Sequence, residues 1–410
     1  MSSPAPKTAA APSELRLRDG RPAAAAWSLD PRVLHLNHGS FGAVPREVLL
    51  AQAQLRHEME ANPVIWFSQL HERIAQARTH IAVQLGVNPE TLAFVPNATA
   101  GASTVYQSLT LRPGGNIVVT DHGYGAVTMG AERLAGRSST QVREARIPLE
   151  ANAVESVDAI LAAVDANTQL IVLDHITSAT ARYLPVAEIS RFARENGIAV
   201  LVDGAHAPGL VDHPSAGIDC DFWIGNLHKF SCSPRGAAVL IARGEATPNL
   251  FPLIDSWGTG LSYPHRFDHQ GTLDQTAYLA AHLSYNTIHD EWGWQQVRSY
   301  SNALAAYGEQ IIAEALSDAT QVDSSVTVGM ASGAMRLVRL PDGLATDVDS
   351  ANALRNRIAS ELRVEAACTA FHGTGYLRLS AHAYNTPSDY EFFAERIVPT
   401  LVRWATTQTR

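Results

Sequence analysis

Asp203 and Lys229 lie 26 residues apart in the stretch AVLVDGAHAPGLVDHPSAGIDCDFWIGNLHKFSCSPRGAAVLIA (199–242). The carboxylate closes one apolar run, and the amine stands just beyond the next. A lysine in such a place can hold an aldehyde as an imine. A carboxylate on the neighbouring strand can keep a pyridine nitrogen protonated, so that its ring takes up electrons. That pair of duties is the chemistry of pyridoxal phosphate. The competing readings are a solvated loop lysine and a structural ion pair. Phe230 and the apolar run after Lys229 argue against the first. The apolar setting of Asp203 demands a cationic partner in either case.

The elements around the pair must form a sheet. Between Leu92 and Ala242, short β-rich runs alternate with amphipathic stretches. The runs are LAFV (92–95), NIVVT (116–120), REARIPL (143–149), QLIVLD (169–174), IAVLVDGA (198–205), DFWIG (221–225) and AAVLIA (237–242). Helical segments such as 154–165 and 186–197 fall between them, the second ending at Asn196-Gly197, a stop signal. Strand, helix and strand in succession predict an α/β fold with a mainly parallel sheet covered by helices. Ligands in such sheets bind at the carboxyl ends of the strands, where the Asp203 and Lys229 loops fall. Two long helices are expected over 274–290 and 294–317. A smaller α+β unit should follow, with strands at 326–330, 334–340 and 375–381 and helices near 349–362 and 387–404. The expected organisation is a disordered tail (1–26), a large cofactor-binding domain (27–285) whose N-terminal segment can pack on the small domain, and a small C-terminal domain (286–410).

Composition narrows the function classes. The chain has 410 residues, 46% of them hydrophobic and 17% charged, enough for a large core. Its net charge of −9 disfavours a nucleic-acid surface. No apolar run approaches the roughly 18 residues that span a bilayer. Cys220, Cys232 and Cys368 are too few and scattered for a disulfide framework or a metal site, so no metal is expected and a cytoplasmic setting is. The first 26 residues lack a secretory h-region and read as a tail rather than a transit peptide.

The strings DGAHAPG (203–209), GNLHKF (225–230) and LRLSAHAYNT (377–386) resemble those of the class V aminotransferase superfamily of fold-type-I pyridoxal-phosphate enzymes. The stretch LNHGSFGAVPREVL (36–49) is similar to the start of the isopenicillin N epimerase-like group. The resemblance runs from about Leu34 to the last helix. It implies Lys229 as the imine-forming lysine and the acid/base at Cα. It implies Asp203 on the pyridine nitrogen and His206 on the 3′-oxygen. Ala98 and Thr99, at the start of a helix, match the family's phosphate-binding turn, a position that suits an anion. Asn226 and His228 match side chains that reach the same phosphate. Tyr124, favoured over His122, matches the residue that stacks on the cofactor ring, and Tyr124 or a nearby histidine is a candidate second acid. Gly271 and Thr272 match a loop that caps the phosphate of a neighbouring subunit, so a homodimer with shared sites is implied. Arg378, among apolar neighbours, matches the receptor of a substrate carboxylate and suits one by its forked geometry. Asn37, His38 and Ser40 would stand near the substrate entrance.

The family resemblance leaves the reaction open. Epimerisation at Cα of an amino acid stands first, and Cβ–S cleavage of an S-substituted cysteine or its sulfoxide second. Transamination is a weaker choice. Cysteine desulfurisation is disfavoured because Cys368 lacks the surroundings of a nucleophilic loop and reads as a packed residue. A cofactor-binding regulator without turnover would need a nucleic-acid-binding module that the sequence does not offer.

Overall fold

A computed structural model describes residues 10–408. In chain order the strands are Leu34–His35 (β1), Leu92–Val95 (β2), Asn116–Thr120 (β3), Gln141–Ala145 (β4), Thr168–Asp174 (β5), Ala199–Asp203 (β6), Phe222–Asn226 (β7), Ala238–Ala242 (β8), Met335–Arg339 (β9), Val364–Glu365 (β10), Ala367–Phe371 (β11) and Thr374–Ser380 (β12). The first seven helices are His38–Phe41 (α1), Arg46–Ala61 (α2), Pro63–Leu85 (α3), Ala98–Ser108 (α4), Gly125–Ser138 (α5), Ala153–Ala162 (α6) and Val186–Glu195 (α7). The others are Thr276–Glu291 (α8), Trp294–Thr320 (α9), Val348–Leu362 (α10), Pro387–Phe392 (α11) and Val398–Gln408 (α12). None of the described helices is long and apolar enough to cross a membrane.

The chain divides into two compact units. The larger comprises Gly42–Ser178 and Arg182–Thr287. Its seven-stranded sheet has the order β2-β8-β7-β6-β5-β3-β4. Only β8 runs against the rest, pairing antiparallel with β7 on one side and β2 on the other. The carboxyl ends of β2, β3, β5, β6 and β7 therefore share one edge. Residues of both alternating sets are buried in β2, β3, β6, β7 and β8, as in a sheet covered on both faces. This is why the sequence shows continuous apolar runs there instead of alternation. The helices carry their own start signals. Asn97 caps α4, and Asn152 with Glu155 forms a capping box on α6. Pro63 opens α3 and Gly86 closes it in the left-handed conformation.

The described residues of the smaller unit are 10–41, Ala179–Ala181 and 288–408. It holds the antiparallel sheet β11-β12-β9 and the short parallel pair β1-β10. Two expectations fail here. VTVGM (326–330) forms no strand: Val326, Val328 and Met330 are only half-buried, and β9 pairs with β12 alone. The expectation of a disordered tail over 1–26 also fails for its described residues, 10–26. Residues 1–9 lie outside the described residues, but Leu15, Leu17 and Ala23 are buried and Trp292 Nε1 donates to Arg16 O at 2.7 Å. Apolar side chains spaced through an alanine-rich segment were enough to pack it. In the larger unit, the strand expected at 143–149 ends earlier, at Ala145. Pro148 has no N–H for the ladder, and the carbonyls beyond the strand serve Arg182 instead.

Candidate active site

The site is built where the carboxyl ends of the larger unit's strands meet their loops. After β7 ends at Asn226, the chain makes a compact turn before returning as β8. Cys232 N donates to Lys229 O at 3.0 Å, Ser233 N to Leu227 O at 3.0 Å and Ser231 Oγ to the same Leu227 carbonyl at 2.6 Å. A hairpin-like return replaces the helical crossover used elsewhere, and it fixes the backbone of Lys229 from both sides. Two glycines allow other segments to close on this turn. A Cβ on Gly209 would lie 2.5 Å from the Phe230 carbonyl group, and one on Gly42 would lie 1.9 Å from His228 O. Gly42 also has φ +66°, a conformation that a side chain disfavours. The Gly42 carbonyl accepts from Arg235 Nη2 at 2.9 Å.

Lys229 is buried, and its Nζ lies 3.0 Å from His206 Nε2. The two nitrogens are within hydrogen-bond distance, so one donates and the other accepts. Asp203 ends β6, 2% exposed, and its Oδ1 accepts the Ala205 amide at 2.9 Å. Burial pushes the Asp203 carboxyl above the usual carboxylate range, while the Ala205 amide and the Lys229 charge oppose it. The turn between β6 and His206 is set by Gly204 N donating to Ile224 O at 2.7 Å and Ala207 N to Gly204 O at 2.8 Å.

At the start of α4, Asn97 Oδ1 accepts the Ala100 amide at 2.8 Å. The Ala98 amide differs from its expected role, because it donates to Asn226 Oδ1 at 2.9 Å. A side-chain amide from the neighbouring strand takes the place assigned to an anion. Thr99, half-buried, supplies the next amide and a hydroxyl in the first turn, whose N–H groups have no partner within the helix. His228 has a buried Nδ1 without a hydrogen-bond partner. Burial pushes its imidazole down to about 4, helped by the Lys229 and Arg235 charges, so it is neutral at physiological pH.

The residues after β3 divide in two. His122 is 1% exposed and its Nε2 lies 2.8 Å from the Ile147 carbonyl. Tyr124 is 43% exposed and stands at the N-terminus of α5. Gly271 and Thr272 are exposed in a segment staked at both ends. Arg78 donates to both oxygens of buried Asp268 at 2.6 and 2.8 Å, and Arg56 donates to Asp274 at 2.8 Å. Sequence reasoning missed Asp174, the buried last residue of β5, which pairs in register with Asp203. The signal was present: QLIVLD and IAVLVD both close an apolar run on an aspartate.

In the smaller unit, Arg378 is 3% exposed on β12. Its Nη2 lies 3.2 Å from Asn37 Oδ1 and 3.1 Å from Ser40 Oγ, and Ser40 Oγ donates to Asn37 Oδ1 at 2.7 Å. Burial pushes the guanidinium down to about 10. The sequence-predicted Arg378, Asn37 and Ser40 thus come together. His38 belongs to a different cluster: its ring stacks on His382 at 4.1 Å and its Nδ1 lies 3.0 Å from the Tyr384 hydroxyl. Cys368 is buried in β11, where burial pushes its thiol to about 12 and keeps it from acting as a thiolate.

Pyridoxal phosphate fits the larger unit's residues. A buried amine beside a histidine, a buried strand-end carboxyl, a helix N-terminus and the partnerless Nδ1 of His228 match its aldehyde, pyridine nitrogen and phosphate. Residues 42–393 match the Aminotransferase class-V family, and the chain belongs to it. It is a pyridoxal-phosphate-dependent enzyme. Among its relatives, isopenicillin N epimerase of Streptomyces clavuligerus is 31% identical over 387 residues, covering 90% of this chain and 95% of the relative. L-cysteine desulfhydrase of Arabidopsis thaliana is 25% identical, covering 89% and 87%. The fold is similar to apo cysteine desulfurase from Thermococcus onnurineus, with TM-score 0.76 and 19% identity over 95% of this chain and 100% of that one. It is also similar to a cystine C–S lyase in complex with its product cysteine persulfide, with TM-score 0.75 and 18% identity over 90% and 98%.

Proposed function

We propose that the enzyme is an epimerase or racemase acting at Cα of an amino-acid substrate, of the isopenicillin N epimerase kind. The observation that carries this reading is the buried Lys229 amine, 3.0 Å from His206, on the strand edge that also bears Tyr124. When bound, pyridoxal phosphate supplies the aldehyde that takes up the amine and a ring that accepts electrons from Cα. Asp203 holds the proton on the ring nitrogen. The Thr99 amide and hydroxyl with neutral His228 bind the phosphate, and Asn226 orients the first turn of α4 through the Ala98 amide. Lys229 moves the Cα proton on one face. Tyr124 is our choice for the acid that returns a proton on the other, as inversion requires. Arg378, steadied by Asn37 and Ser40, is assigned to the substrate carboxylate, with His38 next to them in sequence.

A second reading, Cβ–S cleavage, uses the same first proton transfer, and the resemblance to a cysteine desulfhydrase favours it over transamination. Desulfurisation through Cys368 has no support from a buried thiol. A homodimer in which Gly271 and Thr272 serve the other copy fits the exposure of Leu253, Ile254, Trp257 and Leu261 in the preceding segment. The deciding experiment presents candidate amino acids in D2O. Deuterium at Cα with loss of optical purity is expected for the first reading. Pyruvate and ammonia from S-substituted cysteines would replace it with the second. A Lys229→Ala protein should lose the visible absorption of the wild type, and retention of that absorption would overturn both.

A further inference from the structure

Asp174 is a buried carboxyl to which the chemistry above gives no task. It is 4% exposed, and its Cα is in register with that of Asp203 on the adjacent parallel strand. Register partners on parallel strands project to the same face, about 4.8 Å apart. The buried phenol of Tyr106, whose hydroxyl donates to Val127 O at 3.0 Å, lies within electrostatic reach of both aspartates. The Asp174 Oδ2 lies 3.9 Å from where a Gly123 Cβ would stand, and the neighbouring Tyr124 backbone N–H acts on this carboxyl to oppose its upward shift. The carboxyl therefore bridges two parts of the site, the strand end that bears Asp203 and the helix start that bears Tyr124. Lys229 is the cation that acts on both carboxyls. Two ionised carboxylates this close, out of water and facing one amine, would repel strongly. One proton shared between them removes the conflict.

We propose that Asp174 is a positioning residue that stays a neutral acid, donating its proton to Asp203 and accepting the Tyr124 amide. The buried pair then carries one negative charge, matched to one protonated ring nitrogen. The proton resides on Asp174, where burial and the Asp203 charge raise the proton affinity furthest. Asp203 keeps its anionic form with the Ala205 amide and the Asp174 hydroxyl as donors. This inference rests on the cofactor assignment and is independent of which bond the enzyme breaks.

Asp174→Asn is the decisive variant because the side-chain amide keeps one donor for Asp203 and one acceptor for Tyr124. Infrared difference spectra of wild type minus Asp174→Asn at neutral pH should show the C=O stretch of a protonated carboxylic acid, with its D2O shift. Asp174→Asn should bind pyridoxal phosphate within about threefold of the wild type. The pH midpoint of its visible band should move by less than about half a pH unit, since no charge is lost. Asp174→Ala, which loses both bonds, should weaken cofactor binding about tenfold or more. Absence of the neutral-acid band, or a midpoint moved by more than about one pH unit in Asp174→Asn, would overturn the proposal. So would unchanged affinity in Asp174→Ala. The infrared arm uses apo protein, and the wild-type titration reports cofactor binding separately, so a failed cofactor assignment is distinguishable from a failed role for Asp174.

Discussion

Gly42→Ala should injure both stability and catalysis through one contact. The new Cβ would lie 1.9 Å from His228 O and 2.8 Å from Lys229 O, both backbone atoms of the lysine turn. A carbon–oxygen contact needs roughly 3.3 Å, so the His228 carbonyl must retreat by about 1.4 Å or Gly42 must move. Arg235 holds the Gly42 carbonyl from its other side, which resists the second response. The left-handed conformation costs about 1–2 kcal/mol with a side chain, and overpacking about 1–3 kcal/mol. The total is about 2–5 kcal/mol, less than the stability of most domains. The protein should fold at 25 °C with Lys229 displaced by about 1 Å, a misplacement that costs on the order of 100-fold in rate. Gly217→Ala is the control, because its φ is +73° but its Cβ position is empty. Urea unfolding and kcat/KM for both variants make the comparison. If Gly42→Ala matches Gly217→Ala in stability and the wild type in kcat/KM, the argument that Gly42 seats the lysine turn is wrong.

Two further tests concern charge. His228 has its folded-state pKa depressed from 6.5 to about 4, so its contribution to stability is complete above 6.5 and is lost as pH falls toward 4. At 1.36 kcal/mol per pH unit the full span is about 3 kcal/mol. Melting curves between pH 8 and 4.5 should therefore fall more steeply for the wild type than for His228→Asn, and parallel curves would remove the explanation. Arg78→Ala leaves Asp268 buried without its cation and should cost about 3–5 kcal/mol, whereas Arg56→Ala, at a half-exposed pair, should cost about 1 kcal/mol or less. Equal losses in urea unfolding would show that burial does not set the difference.

The sheet was legible because its strands, apart from the edge strand β4, are buried on both faces. LAFV and NIVVT coincide with β2 and β3 to the residue. β11 escaped notice because ACTAF mixes alternation with a threonine and is short. VTVGM looked like a strand by composition, but pairing is a tertiary property that local pattern does not encode. At the site, residue types were readable while their partners were not. The Ala98 amide looked open to an anion because nothing local reveals that Asn226, 128 residues later, points at it. Asp174 was hidden for a similar reason, since only the strand order puts it beside Asp203.

The β1–β10 pair joins residues 330 positions apart, as between His35 and Glu365. During synthesis at about 5–20 residues per second, β1 waits roughly 15–65 s for its partner strand to be made. The larger unit lies almost entirely within that interval, so its sheet can fold while the smaller unit still lacks its C-terminal half. The order of manufacture therefore runs from cofactor cradle to small unit, and a nascent chain stalled before residue 364 would carry a complete larger unit with β1 unpaired.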